Sequence, residues 1–135
     1  RMVDMGIEPY LVGPSLIAVE AQRLIRKLCP HCKSPTHVSE SALRPIEMYL
    51  PAEYTFYKAV GCDKCANTGY LGREMITEVM SITDDMATAI ARNASKHEIQ
   101  QLANESGFES MLYDGVRRAA SGITTLEEVY RVARL

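Results

Sequence analysis

All four cysteines of the chain lie in two Cys-x-x-Cys pairs, and this arrangement constrains the fold more than any other feature of the sequence. The first pair is Cys29 and Cys32, the second is Cys62 and Cys65, and 29 residues separate the two pairs. Two thiolates at this spacing reach one metal ion from a tight turn, and two such turns complete the tetrahedron that zinc prefers. Tetrahedral sulfur sites also suit iron, and two disulfides with three connectivities are formally possible. The spacing favours one zinc site formed by all four cysteines.

Four cysteine ligands make a closed site. Catalytic zinc usually keeps one coordination position open, whereas four thiolates fill the tetrahedron. His31 could compete for a position, but we interpret it as a solvent-facing residue between two ligands. Residues 33–57 contain three prolines and few large apolar side chains, so metal binding would supply folding free energy to this stretch. The predicted zinc is therefore structural.

Charge and hydropathy narrow the possible functions. The 135 residues carry a net charge of −2 and have a pI near 5.9, so we expect no nucleic-acid partner. No apolar run approaches the ~20 residues that span a bilayer, and no signal peptide is recognisable. Four cysteines without a secretory signal favour the reducing cytoplasm. The chain begins with Arg1 and reads like the middle of a domain, so we expect it to belong to a longer protein.

Apolar periodicity predicts strands in the first half of the chain and helices in the second. Residues 14–21 are predicted to form a short buried helix, and residues 22–28 either continue it or form a strand, which we favour. One turn of helix is predicted near residues 46–50. Alternating patterns predict strands at 54–62 and 73–80. Helices are predicted at about 84–93, 96–106, 109–121 and 125–133.

Several residues mark the ends and faces of these helices. Thr83, Ser95 and Thr125 are predicted N-caps, and Gly107 and Gly122 suit helix ends that need a positive φ. Ser95 and Thr125 each begin a capping box, with a glutamate three residues later reaching back. The side chains assigned to solvated helix faces are Arg117, Arg118, Glu127, Glu128 and Arg131.

No catalytic or cofactor-binding residue is assigned. The sequence has no Ser-His-Asp arrangement, no paired-carboxylate signature and no Gly-x-x-x-x-Gly-Lys-Ser/Thr phosphate loop. His37 and His97 stand alone, and we interpret His97 as exposed. Asp84 and Asp85 suit the first turn of a helix, where the helix dipole favours negative charge.

Several stretches together resemble the C-terminal part of the type II secretion and type IV pilus assembly ATPases, which are hexameric, cytoplasmic motors with a RecA-like core. They are RMVDMGIEPYLV, SLIAVEAQRLIRKLCPHC, AVGCDKCANTGYLGREMITEVMSITDDM and GITTLEEVYRV. The resemblance covers nearly the whole chain in order. Its tetracysteine, its Gly-x-x-Gly-Arg exit and its Gly-Ile-Thr-Thr-Leu-Glu-Glu ending make it specific.

The resemblance implies an α+β fragment: the end of a RecA-like α/β ATPase core with an inserted tetracysteine zinc subdomain and a C-terminal bundle of about four helices. Residues 1–28 would be the last elements of the core and residues 29–65 the zinc subdomain. Residues 66–83 would be the returning strand and residues 84–135 the helical subdomain. Structural Zn²⁺ would be held by Cys29, Cys32, Cys62 and Cys65.

The resemblance also implies cofactors and partners for a full-length parent. ATP and Mg²⁺ would bind only there, because the Walker and associated boxes of the family are absent from this chain, which alone should not hydrolyse ATP. The partners would be other subunits of a homo-hexamer and inner-membrane platform proteins of a secretion or pilus machine. The protein would thus be cytoplasmic and peripheral at the inner membrane.

Arg23 and the stretch GREMITE also bear on the resemblance. Arg23, in AQRL, follows the family pattern, which would place it near the nucleotide or a neighbouring subunit, but we favour the interpretation of a plain strand or helix-surface arginine. Where the family often reads GRTGIYE, this chain reads GREMITE, which a strand tolerates.

The alternative function is a freestanding zinc-ribbon adaptor that binds protein or nucleic acid. It would need a basic or aromatic face near the cysteines, and the lysines found there are diluted by nearby acidic residues. A chaperone-type zinc module is weaker still, because Asn67 stands where its pattern needs a glycine.

Overall fold

The computed structural model describes residues 1–133, which form a mixed α+β chain with six α-helices and two two-stranded sheets. In chain order the elements are α1 (Pro9–Ser15), β1 (Ala18–Leu28), β2 (Ser34–Thr36), α2 (Glu40–Leu43), a 3-10 helix (Arg44–Tyr49), β3 (Phe56–Lys58), a 3-10 turn (Asp63–Cys65), β4 (Tyr70–Ser81), α3 (Asp84–Ala91), α4 (Lys96–Glu105), α5 (Met111–Ala120) and α6 (Leu126–Val132). The end of the predicted 84–135 subdomain, residues 134 and 135, lies outside the described residues.

The four predicted C-terminal helices are confirmed as α3 to α6, each end within two residues of its prediction. The predicted caps are also confirmed, because Thr83, Ser95 and Thr125 each accept the backbone N–H three residues on, at 3.2, 3.2 and 3.1 Å. Ser110 caps α5 in the same way, at 3.3 Å, which the sequence analysis did not predict. Local sequence therefore determines where these helices begin.

The first helix differs from its prediction. The predicted helix at 14–21 is wrong, since α1 ends at Ser15 and residues 18–21 already belong to β1. Pro14 lies in the last turn of α1, and the chain is extended by Leu16 (φ −91°, ψ 131°). The N–H of Ile82 donates to the carbonyl of Ile17 at 2.9 Å, so pairing with a distant strand overrides the local pattern.

The strand predictions agree with the structure more closely than the prediction of the first helix does. Residues 22–28 are strand, as favoured, and the predicted strand at 73–80 is confirmed within β4. The strand predicted at 54–62 is shorter, covering only Phe56–Lys58. The helical turn predicted near 46–50 is present as the 3-10 helix Arg44–Tyr49.

The two long strands, β1 and β4, pair with each other in one sheet. Besides the Ile82 bond near one end, the N–H of Cys29 donates to the carbonyl of Gly69 at 2.9 Å near the other, so the strands run antiparallel. The short strands β2 and β3 form the second sheet, also antiparallel, with Pro35 opposite Tyr57. Two such sheets do not establish the RecA-like core, which stays a prediction.

Contacts divide the chain into two compact units, of which the first comprises Arg1–Ala21 and Glu78–Glu109. Its core is the packing of α1 on α3, where a Cβ added to Gly13 would lie 2.2 Å from the carbonyl oxygen of Ala87. The capping box predicted at Ser95 is only half formed. The Glu98 carboxylate does not return to the Ser95 N–H, because it pairs with Arg92.

The second unit comprises Gln22–Thr77 and the chain from Ser110 onward. Its core contains five fully buried isoleucine and valine side chains: Ile25, Ile46, Ile76, Val116 and Val129. Helices α5 and α6 pack closely, since a Cβ added to Gly115 would lie 2.6 Å from a Val129 methyl group. Tyr113 of α5 meets the 3-10 helix through an edge-to-face contact with Tyr49, with ring centroids 5.5 Å apart.

The solvated-face prediction for Arg118 is wrong. Its Nε donates to Asp114 at 3.1 Å, and its Nη1 lies 3.0 Å from the Glu74 carboxylate, an ion pair rather than a well-aligned hydrogen bond. Asp114 also accepts the N–H of Thr77 at 2.9 Å, so these charges fasten α5 to β4. The neighbouring Arg117 is exposed, as predicted.

Candidate metal centre

Each Cys-x-x-Cys pair forms a tight turn, called here the first knuckle (residues 29–32) and the second knuckle (residues 62–65). In the first knuckle, which follows β1 directly, the N–H of Lys33 returns to the carbonyl of Cys29 at 3.1 Å. In the second, the N–H of Asn67 returns to the carbonyl of Cys62 at 2.8 Å, and Ala66 and Asn67 adopt positive φ values of 53° and 60°. Both turns therefore direct their two thiols to the same side.

Two glycines permit the close approach around the second knuckle. Gly61 has a φ of +109°, and a Cβ there would lie 2.7 Å from the carbonyl oxygen of Asn67. Gly69 has a φ of +79°, and a Cβ there would lie 2.6 Å from Ala59. A side chain at either position would both strain the backbone and clash, so the fold requires glycine.

The four thiols form one cluster. The sulfurs of Cys29, Cys32, Cys62 and Cys65 all lie within 4.8 Å of one another. Three of the six sulfur–sulfur distances are 3.8 Å for Cys29 with Cys62, 3.9 Å for Cys32 with Cys65, and 3.7 Å for Cys62 with Cys65. A regular tetrahedron with zinc–sulfur bonds of ~2.3 Å has sulfur–sulfur edges of about 3.8 Å. The cluster therefore has the dimensions of a tetrahedral zinc site, and its sulfurs are too far apart for disulfides, which need ~2.05 Å.

Backbone N–H groups point at the sulfurs. Cys65 accepts from the N–H of Cys62 and of Gly69, each at 3.2 Å, and Cys32 accepts from the N–H of Gly61 at 3.4 Å. Burial acts to raise the pKa of Cys65, but these hydrogen bonds outweigh it and lower the pKa to about 6. Burial dominates at Cys32 and raises its pKa to about 11. A cation that binds all four thiolates would displace the protons that the cluster otherwise retains.

The surroundings of the cluster fit a closed structural site. Cys29 and Cys65 are buried, and Cys32 and Cys62 are half-buried. His31 is exposed, as predicted. Among residues 1–133, one group of three or more His, Cys, Asp or Glu side chains lies close enough together to share a metal ion, and it consists of the four cysteines.

Glu128 anchors α6 beside the first knuckle, a role that its position in the helical pattern does not predict. Its assignment to a solvated face is wrong, because its side chain is 1% exposed. The backbone N–H of Arg26 donates to its Oε1 at 2.9 Å and the Arg26 guanidinium donates to its Oε2. The Arg131 guanidinium donates to both oxygens. Burial acts to raise its pKa, but the hydrogen bonds from Arg131 and Arg26 lower it to about 2. The second predicted capping box is thus replaced by a longer-range contact.

The remaining candidate residues lie apart from the cluster. Arg23 is exposed, and its Nη1 donates to the carbonyl of Gln22 at 2.8 Å, so nothing in its surroundings assigns it a role. His97 is exposed, as predicted. His37 lines a cleft in the second unit between the β2–β3 segment and α6, next to Tyr57 and Tyr130. None of the helices within the described residues is long and apolar enough to cross a membrane.

Comparison with known proteins connects this geometry to a family. Residues 1–131 match the family described as type II/IV secretion system protein. The chain is 42% identical over 134 residues to type II secretion system protein E of Pseudomonas aeruginosa, covering 99% of this chain and 26% of that protein. It is 43% identical over 134 residues to the type IV pilus assembly ATPase PilB of Myxococcus xanthus, covering 96% and 23%, respectively. The PilB of Thermus thermophilus is 39% identical over 132 residues, covering 96% of this chain and 15% of that protein.

The chain spans about a quarter or less of the length of these curated relatives. What their names say of the whole proteins therefore concerns molecules several times longer than this chain.

Proposed function

Because the chain belongs to the type II/IV secretion system protein family, we propose that it is the zinc-bearing C-terminal part of a hexameric motor ATPase. The parent motor powers type II secretion or type IV pilus assembly. The observation that carries the proposal is the cluster of four thiols within 4.8 Å of one another, in a chain whose family match runs through both knuckles. Relatives named for secretion and relatives named for pilus assembly are about equally similar, so the proposal keeps both pathways.

The metal in this proposal is Zn²⁺, held by Cys29, Cys32, Cys62 and Cys65. Three of the six sulfur–sulfur distances, at 3.7 to 3.9 Å, support this choice, because they match the edges of a zinc tetrathiolate tetrahedron. An iron centre is the competing occupant, since iron accepts the same four ligands.

The zinc has a structural role. Residues 33–61 form an excursion between the two knuckles, and the metal would join its two ends. The β2–β3 sheet inside the excursion has only three residue pairs, and a two-stranded ribbon of this kind is at best marginally stable on its own. Binding of a metal to the folded site contributes its free energy directly to folding.

ATP and Mg²⁺ belong to other parts of the full-length motor in this proposal. The 135 residues contain no Gly-x-x-x-x-Gly-Lys-Ser/Thr loop to hold phosphates, so we expect the isolated chain not to hydrolyse ATP. The chain instead contributes a stiffened surface to the motor. Its partners would be other subunits of the hexamer and inner-membrane platform proteins, with the motor in the cytoplasm.

The environment of Lys33 supports the motor over a nucleic-acid adaptor. Lys33 lies 4.5 Å above the ring centroid of Tyr57 and donates to the carbonyl of Gly122 at 2.9 Å. Its ammonium group therefore already has partners within the chain and is not held out toward a phosphate backbone. We expect no tight, salt-sensitive binding when the chain is titrated with duplex DNA, and such binding would favour the adaptor.

A genetic test addresses the motor function. The cell's own full-length protein would carry Cys29→Ser and Cys32→Ser, and the matched control would carry Lys64→Met, which changes an exposed residue of the second knuckle but no ligand. The cysteine variant should lose secretion or piliation at normal protein levels, and the control should retain it. If both variants secrete and assemble pili normally, the zinc site has no part in the motor.

A further inference from the structure

The turn between α5 and α6, residues 121–125, contacts both sides of the first knuckle. The N–H of Leu28, the residue before Cys29, donates to the carbonyl of Ile123 at 2.8 Å. The ammonium of Lys33, the residue after Cys32, donates to the carbonyl of Gly122 at 2.9 Å. The two residues that bracket the first pair of thiols thus fix the same turn.

The turn is closely packed against its surroundings. Gly122 has a φ of +81°, and a Cβ there would lie 2.9 Å from the ring of Tyr57 and 3.2 Å from the Lys33 ammonium. Lys33 in turn lies over the Tyr57 ring. The turn, the residue after the first knuckle and β3 therefore form one packed contact.

The same turn begins α6. Thr125 caps the helix, and its hydroxyl also meets the hydroxyl of Tyr70 at 2.9 Å, at the start of β4 beyond the second knuckle. Thr124 is fully buried and donates to the carbonyl of Arg26 at 2.8 Å, at the end of β1. The cap of α6 is thereby tied to the strand ends that carry both knuckles.

Helix α6 depends on these contacts. It has seven residues, and isolated helices shorter than ~12–15 residues are marginal in water. Its stability must therefore come from docking, through the turn, through Val129 in the core and through Glu128 on Arg26.

From these contacts we infer that the metal cluster and the α5–α6 turn form a metal-dependent latch. An occupied cluster holds Leu28 and Lys33 at the spacing that the turn requires, and α6 stays docked. Loss of the metal frees the first knuckle, the turn loses its contacts with Leu28 and Lys33, and α6 undocks from the rest of the second unit. The inference rests on the proposed metal site and adds that the docking of α6 depends on bound zinc.

Thermodynamic linkage makes the latch testable away from the ligands. If the turn docks mainly when metal is bound, a substitution that weakens docking lowers metal affinity by up to the same factor. Lys33→Met and Thr124→Val each remove one hydrogen bond to or from the turn and leave all four cysteines in place. Each should lower zinc affinity by up to about tenfold, the scale of one buried hydrogen bond.

The experiment measures zinc affinity by competition with a chromogenic chelator. The matched control is Lys96→Met, since Lys96 is an exposed lysine of α4 in the first unit, outside both knuckles, and its substitution should leave the affinity unchanged. Weaker zinc binding in Lys33→Met and Thr124→Val but not in Lys96→Met supports the latch. Wild-type affinity in all three variants overturns it, whereas absence of zinc binding by the unaltered chain refutes the proposed metal site instead.

A second measurement needs no variant and covers the case in which Thr124→Val does not fold. Amide hydrogen exchange of the wild-type protein is followed with zinc and after its removal by a chelator. The latch predicts that amides of α6 lose protection on zinc removal while those of α3, in the first unit, keep theirs. Unchanged protection of α6 after verified zinc removal would overturn the inference.

Discussion

Replacing Glu128 with glutamine should destabilise the second unit by about 3 kcal/mol at neutral pH. The carboxyl has a pKa of about 2 in the folded chain against an ordinary 4.5, and a tenfold change in proton affinity corresponds to about 1.36 kcal/mol. The difference gives about 3 kcal/mol for the ionised form. The two oxygens accept from Arg26 and Arg131, and a glutamine would direct an NH₂ group at one set of these donors.

A second consideration gives a similar magnitude. Breaking a buried ion pair typically costs 3–5 kcal/mol, because a charge is left without its partner. Arg26 and Arg131 have side chains 48% and 52% exposed, so water can hydrate both guanidinium groups once the carboxylate is gone. The expected cost therefore lies at the low end of that range.

Urea unfolding followed by far-ultraviolet circular dichroism measures this cost, with zinc present in every sample. The matched control is Glu127→Gln, which changes the exposed neighbour on the same helix and should stay within about 0.5 kcal/mol of wild type. If Glu128→Gln costs no more than Glu127→Gln, the carboxylate does not anchor α6 as argued.

Since the pKa of Glu128 is lower in the folded chain than in the unfolded chain, its contribution is complete above pH 4.5 and disappears as the pH falls from 4.5 toward 2. The stability difference between wild type and Glu128→Gln should shrink in this window, and a difference that stays constant from pH 7 to pH 3 would contradict the assignment. Gly13→Ala would place a Cβ 2.2 Å from the carbonyl oxygen of Ala87, so overpacking of about 1–3 kcal/mol should lower the unfolding midpoint without changing metal content. Gly61→Ala should weaken zinc binding about tenfold more than Gly72→Ala does: both glycines have positive φ, but a Cβ clashes with backbone only at the former, and chelator competition that ranks the two alike would refute the argument.

Local signals determined what the sequence could predict. The cysteine cluster can be predicted from two Cys-x-x-Cys turns, because each turn orients its own pair of thiols. Only the approach of the two turns to each other has to be inferred. The C-terminal helices follow from caps such as Ser95 and Thr125, whose hydroxyls accept N–H groups three residues away. These features need no knowledge of distant neighbours.

The features that sequence analysis missed are long-range contacts. The apolar stretch at 16–19 led to a predicted helix over residues 14–21, and pairing with β4 makes residues 18–21 strand. Glu128 lies at a polar position of the helical pattern, and its burial depends on Arg26, 102 residues earlier in the chain. Arg118 likewise leaves its predicted solvated face for Glu74 on β4. Helical periodicity contains no information about such partners.

The latch connects these two kinds of feature. The cysteine pairs are recognisable in the sequence. The sequence of the α5–α6 turn, residues 121–125, indicates only the end of one helix and the start of the next, not its contact with the first knuckle. Gly122 was predicted from its position after α5, and its φ of +81° confirms that prediction. Its contact with Lys33 and Tyr57 adds a reason for glycine that helix-end geometry alone does not supply.

The four-cysteine site is best tested by the metal content of the purified chain, determined by inductively coupled plasma mass spectrometry beside Cys62→Ser. We expect one zinc per wild-type chain, and less zinc in Cys62→Ser with residues 29–65 unfolding before the helices of the first unit. A wild-type chain that binds no metal, or a Cys62→Ser variant with the same zinc content as wild type, would rule out the four-cysteine site.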